Sequence, residues 1–124
     1  VSAPSQRLDR RRRLLRAREY RRVFEQPCRS RTEAFTVLAR DNGTGVPRLG
    51  LAIARKHVPG ATRRNRVKRL IRESFRTHQH LLGGLDVVVL GRVGLDGQET
   101  AAICASLDRH WKDLSQRCRC SSSG

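Results

Sequence analysis

The sequence has no methionine and few aromatic residues: one tyrosine, one tryptophan and three phenylalanines. Each aromatic side chain must therefore be placed individually, as core anchor or as binding surface. No run approaches the ~18 apolar residues of a membrane span. The arginine-rich N-terminal stretch is not followed by the apolar segment of a signal peptide, so the chain is expected in the cytoplasm, away from membranes. The four cysteines, Cys28, Cys104, Cys118 and Cys120, are irregularly spaced, which argues for reduced thiols and against a disulfide framework. Cys118 and Cys120, with His110 upstream, lack the two-residue gap of a common zinc site, and no metal is expected on protein side chains.

Acidic residues are scarce as well: 11 Asp and Glu face 27 Lys and Arg, a formal net charge of +16. This excess is far beyond what solubility requires and points to a polyanionic partner. No acidic cluster offers the carboxylates of a two-metal nuclease. A metal-free nuclease needs paired histidines, or His with Lys, as acid and base. Of His57, His78, His80 and His110, however, His78 falls on an apolar helix stripe and His110 lies beside Trp111, positions typical of structural histidines. Lysine is rare too, with only Lys56, Lys68 and Lys112. Arginine supplies the remaining positive charge, and its planar fork suits bidentate phosphate contacts and stacking on bases. A GC-rich genome would give the same bias.

What is present is a periodic hydrophobic pattern, 37% of residues, enough for one small domain. Residues 1–13, with the run Arg10 to Arg13, read as a flexible basic arm, 14–114 as the folded domain and 115–124 as a disordered tail. Ala17, Tyr20, Val23 and Phe24 recur at helical spacing over 14–25, and Pro27 stops the pattern. Ala34 to Arg40 and Arg48 to Ala54 read as strands. The intervening Asp41-Asn42-Gly43-Thr44-Gly45 tolerates positive φ, so the two are expected to pair as an antiparallel hairpin. After Pro59-Gly60, Thr62 is the expected N-cap of a helix running to about His80, with Val67, Leu70, Ile71, Ser74, Phe75 and His78 on its core-facing stripe. Gly83-Gly84 ends this helical region. Asp86 to Arg92, with three consecutive valines, is expected as a strand buried on both faces, and Ile103, Leu107, Trp111 and Leu114 define a last helix over Gln98 to Leu114. The order is αβββαβα if a short strand lies near Cys28 to Thr32 and αββαβα if not, an α+β arrangement of helices on one sheet.

The positions opposite the apolar stripe of the long helix are Asn65, Lys68, Arg69, Arg72 and Arg76, so a basic ribbon runs along its exposed face. One acid, Glu73, interrupts the helix, within reach of Arg69 and of Arg76. A solvated structural face mixes its signs more evenly. Asn65 is a neutral amide among cations, suited to a base edge, a 2′-hydroxyl or neighbouring backbone.

Arg64-Asn65-Arg66-Val67-Lys68-Arg69-Leu70-Ile71-Arg72 resembles the Arg-Asn-Arg signature of the bacterial ribonuclease P protein component. Further features similar to that family follow in order: Arg18 to Phe24, Arg48-Leu49-Gly50-Leu51, Arg55-Lys56 and Asp86-Val87-Val88-Val89. Together they cover about residues 8–114. The resemblance implies a single compact αβββαβα domain on a mixed sheet, with a left-handed βαβ crossover where patterning alone favours the right-handed one.

It also implies a function. The partners are ribonuclease P RNA and precursor tRNA, with no obligate protein partner, and the Mg²⁺ that performs the hydrolysis belongs to the RNA. Catalytic-RNA contacts are expected from Arg55, Lys56, Arg64, Asn65, Arg66, Lys68, Arg69, Arg72 and Arg76. The single-stranded 5′ leader is expected in a cleft between the sheet and the first helix, against Tyr20, Phe24, Phe35 and Thr36, since aromatic platforms in a basic channel hold single strands of any sequence. Leu38 stands where some relatives carry another aromatic. The alternative for the three aromatics is core packing, and for Phe35 especially the two readings weigh equally.

Overall fold

The computed structural model describes residues 21, 23–25, 27–43 and 45–122, with 117–122 by backbone alone. The expected basic arm, Tyr20 and most of the expected first helix lie outside the described residues; Arg21, Val23 and Phe24 are helical. The elements that follow are β1 (Cys28–Arg31), β2 (Phe35–Asp41), β3 (Arg48–Ala52), α1 (Ala61–Thr77), α2 (Gln79–Leu82), β4 (Leu85–Gly91), a 3-10 turn at Val93–Leu95, and α3 (Thr100–Ser122).

The sheet order is β1-β2-β4-β3. β2 pairs antiparallel with β1 on one side and with β4 on the other, and β3 pairs parallel with β4. The expected hairpin between β2 and β3 therefore does not form: β4 lies between them. The reason is hydrophobic. Val87, Val88 and Val89 are fully buried, and a β-branched run shielded on both faces belongs in the middle of a sheet, where both edges are paired. The hairpin is instead β1–β2, closed by Thr32 N–H donating to the Phe35 carbonyl at 2.8 Å. The glycine-rich segment after β2 crosses the start of β4, where Asn42 N–H donates to the Gly84 carbonyl at 2.8 Å.

Strand parity divides the sheet into two faces. Phe35, Val37 and Ala39 of β2, Leu49 of β3, and Val87 and Val89 of β4 pack with Val67, Ile71 and Phe75 of α1 and Ile103, Leu107, Trp111 and Leu114 of α3 in the main core. Leu38 and Val88 point the other way and form a small second cluster with Val23, flanked by Leu90. Arg40 donates to the Glu25 carbonyl at 3.1 Å, fastening the segment after Val23 to this second face.

Helix α1 begins one residue before the expected cap, with Gly60 as N-cap and no side-chain capping bond. It stops at Thr77. His78 takes a non-helical conformation, φ −113° and ψ 15°, before the short α2, which ends at Gly83 with φ 52°. Helix α3 has the expected core stripe but continues to Ser122, beyond the expected tail boundary at 115. No proline or glycine interrupts it before Gly124, so the backbone hydrogen bonding has no local reason to end at Leu114.

Candidate nucleic-acid interface

Two surfaces on opposite sides of the sheet carry the residues singled out above. On the first, the buried Val67, Ile71 and Phe75 of α1 turn the opposite side of the helix outward. Asn65, Arg69 and Arg72 are exposed and Lys68 is half-buried. Among the described residues these three cations have no ion pair, so their charge is fully available. The other cations of the segment are held locally. Arg76 pairs with Glu73 at 2.6 Å, and Arg64 donates to the Val58 and Pro59 carbonyls at 3.2 and 3.3 Å. Arg66 makes one long bond, 3.4 Å, to the Thr100 hydroxyl. Arg63, which the sequence reading left out of the site, bridges to Asp96 at 3.0 Å and to the Gln98 carbonyl at 2.8 Å. The ribbon thus has an unpaired centre and braced ends.

Arg55 and Lys56 are exposed in the turn that leads from β3 into α1. His57 and Val58 N–H both donate to the Ala54 carbonyl, at 3.0 and 3.1 Å, and the fully buried Val58 anchors the turn. Both cations therefore sit on a preorganised loop just before the ribbon begins.

The second surface is the other face of the sheet. Register places Arg29 and Arg31 of β1 beside Leu38 and Thr36 of β2, and Thr36 beside Leu90 of β4. Thr36 and Leu90 are half-buried, whereas Arg29 and Arg31 are exposed. Phe24, 49% exposed, is a large apolar side chain that follows Val23, which packs on this face, and precedes Glu25, whose carbonyl Arg40 holds. Phe35 does not belong to it. Its side chain has no exposed surface and lies edge-on to His110, with ring centroids 6.2 Å apart, in the main core. The expectation of a stacking platform at Phe35 is thereby corrected: one step along β2 reverses the face, so Thr36, and not Phe35, lies on the second face. Arg29, Arg31 and Leu90 share this face and are not among the expected contacts. For the two arginines the sequence signal is the alternation Arg29-Ser30-Arg31, which gains meaning only once β1 is known to pair with β2.

Two of the four histidines, His110 and His78, are held by neighbouring side chains and backbone. His110 is fully buried, with Nδ1 2.8 Å from the Ser30 hydroxyl and Nε2 2.9 Å from the Thr32 hydroxyl. Burial is the main cause that lowers its pKa to about 4, with a smaller contribution from Arg109 opposed by Asp113. The ring is therefore neutral at pH 7. His78 Nδ1 lies 2.7 Å from the Ser74 carbonyl, and its Nε2 lies 3.4 Å from Asp108. Among the described residues no three His, Cys, Asp or Glu side chains converge as a metal-ligand set.

Comparison with known proteins matches this arrangement. The ribonuclease P family model matches residues 8–115. A ribonuclease P protein component from Methylococcus capsulatus is 49% identical over 105 residues, covering 85% of this chain and 82% of the relative. One from Yersinia enterocolitica is 46% identical over 100 residues, covering 81% and 84%. Among solved structures, the RNase P protein from Thermotoga maritima superposes with a TM-score of 0.72 at 33% identity, covering 82% of this chain and 96% of that one. A Staphylococcus aureus RNase P protein gives 0.76 at 26% identity, covering 83% and 94%. A mixed four-stranded sheet under a basic Arg-Asn-Arg helix, matched by family, sequence and fold over most of its length, places this chain in the bacterial ribonuclease P protein family.

Proposed function

We propose that the chain is the protein subunit of a cytoplasmic ribonuclease P, binding the catalytic RNA through the outer face of α1 and the Arg55-Lys56 turn, and the 5′ leader of precursor tRNA along the second face of the sheet. The observation that carries this reading is the unpaired cationic centre of α1, Lys68, Arg69 and Arg72, facing outward from a helix whose other side is locked in the core. Such a strip follows a phosphate backbone and displaces its counterions, which lowers the repulsion between two polyanions. On the other face, Phe24 offers a ring for a leader base, Arg29 and Arg31 contribute positive potential, and Thr36 is a contact of lesser weight. Phosphodiester hydrolysis falls to Mg²⁺ held by the RNA. This chain's side chains position and neutralise.

The test is reconstitution. The purified chain should leave precursor tRNA intact until ribonuclease P RNA is added, and should then lower the Mg²⁺ needed for cleavage at the 5′ end of the mature tRNA. Cleavage by the protein alone, abolished by His78→Ala or His80→Ala, would refute the reading. Recovery of ribosomal RNA in place of ribonuclease P RNA on the chain isolated from cells would refute it too.

A further inference from the structure

Between α1 and the segment entering α3, beside the braced end of the ribbon, lies a cavity of about 330 Å³. Arg63, Arg66, Val67 and Leu70 form one wall, and Gln98, Glu99, Thr100 and Ile103 the other. Positions 63, 66, 67 and 70 follow the i, i+3, i+4, i+7 spacing of one helix face, so the wall is a single edge of α1, next to the ribbon. Its floor is apolar: Val67 and Ile103 are each 2% exposed, and Leu70 packs against the same core. Its mouth is polar. Arg63 holds the opposite wall at a fixed distance through Asp96 and the Gln98 carbonyl, so the opening exists before anything enters it. Arg66 spans the rim with one long bond to Thr100, leaving most of its donors unused among the described residues.

From this geometry we infer that the cavity receives one unstacked nucleotide of the RNA bound along α1, with its base against Val67, Leu70 and Ile103 and its phosphate on Arg66. The inference rests on the proposed function, because it is the ribbon that brings an RNA strand past the mouth. Three features select this occupant. The volume lies at the low end of pockets that take a small ligand, suiting a single nucleotide and not a folded segment. An apolar slot edged by a guanidinium matches how proteins take splayed-out bases of single-stranded RNA. Arg66 and Glu99 give the rim two signs. The guanidinium attracts the phosphate, and the carboxylate repels it while accepting hydrogen bonds from a base amino group. Adenine, cytosine and guanine, which carry that group, fit better than uracil.

The test fills the cavity without removing charge. Thr100→Trp and Gln98→Trp each put an indole into the mouth, and Ala105→Trp adds the same bulk on an exposed turn of α3 outside it. Affinity of the full chain for full-length ribonuclease P RNA is measured over a range of salt, with thermal melts to confirm folding, together with dimethyl sulfate probing of unpaired adenines and cytosines and kethoxal probing of unpaired guanines. Either filling variant should weaken binding about tenfold at every salt concentration, as for one lost base contact, with an unchanged salt slope. An adenine, cytosine or guanine protected by the unaltered chain should become reactive with the filling variants only. Unchanged affinity in both folded filling variants, or weakened affinity with no base released, overturns the inference while leaving RNA binding along α1 intact. If the unaltered chain fails to bind the RNA, the proposed function itself falls, and the nucleotide pocket with it.

Discussion

The Arg48 guanidinium grips the Asp86 carboxylate with two hydrogen bonds, Nε to Oδ1 at 2.7 Å and Nη2 to Oδ2 at 2.6 Å, where β3 lies parallel to β4. Asn42 adds a third donor to the same carboxylate at 2.8 Å and reaches the Val46 carbonyl at 2.8 Å. Asp86 is 2% exposed, so this acid ties the start of β3, the turn after β2 and the central strand together. Asp86→Ala should strand the Arg48 charge and the Asn42 amide. Breaking such a buried pair costs about 3 kcal/mol or more. Thermal denaturation should show a large fall for Asp86→Ala, and a double-mutant cycle with Arg48→Met should recover part of it. Additive losses would argue against a coupled pair.

Two phenylalanines that look alike in the sequence should separate cleanly. Phe35→Ala removes a ring with no exposed surface and should destabilise the fold by about 3–5 kcal/mol. Phe24→Ala trims a ring that is 49% exposed and should leave the melt nearly unchanged. Under the proposed function it weakens binding of leader-bearing precursor tRNA and spares mature tRNA. Titrations of both RNAs against the reconstituted complex, alongside calorimetry of the free protein, distinguish the two roles.

This contrast marks how far the sequence could be read. Periodicity located α1, β4 and α3 and named their core residues, because each pattern is local. Whether Phe35 or Thr36 faces the cleft depends on which sheet face the helices cover, and the position of β3 depends on β4 more than forty residues of chain away from β2. A turn-forming segment such as Asp41 to Gly45 favours a reversal but cannot exclude a strand from entering between its two arms. The unpaired state of Lys68, Arg69 and Arg72 likewise became visible only when Glu73 was found on Arg76.

The cations of α1 should differ in what their removal does. Arg69→Ala and Arg72→Ala should each lower the steepness of the salt dependence of RNA binding by about one counterion, with little change in stability. Arg76→Ala should have a smaller effect on that slope, because Glu73 already offsets its charge. Arg63→Ala should cost stability by freeing Asp96 and the Gln98 carbonyl. Filter-binding isotherms at several salt concentrations, paired with melts, check all four, and equal slopes would show that the ion pair with Glu73 opens on binding.

Gly84 marks a second tight contact. A Cβ built there would lie 2.9 Å from the Gly45 backbone nitrogen, closer than real Cβ atoms come, and 3.0 Å from its Cα. The two glycines let the turn after β2 close over the start of β4. Gly84→Ala should push these backbones apart and destabilise the protein by about 1–3 kcal/mol, whereas Gly60→Ala, whose Cβ would meet nothing closer than 4.0 Å, should be mild. Urea denaturation of the two variants tests the difference.

His110 should make the fold sensitive to acid. Its pKa falls from 6.5 to about 4 because the buried ring resists charging. The unfolded chain therefore binds the proton first as the pH drops, and between 6.5 and 4 the unfolded state holds more protons than the folded one. Stability from this residue is complete above pH 6.5 and declines through that window, levelling off below the folded value. At about 1.4 kcal/mol per pH unit the full loss is ~3 kcal/mol. In His110→Gln, whose side chain does not titrate, the slope of unfolding free energy between pH 6.5 and 4 should flatten, even though losing the Ser30 and Thr32 contacts lowers stability at pH 7. If the slope persists unchanged, the acid sensitivity arises from other groups and His110 does not govern it.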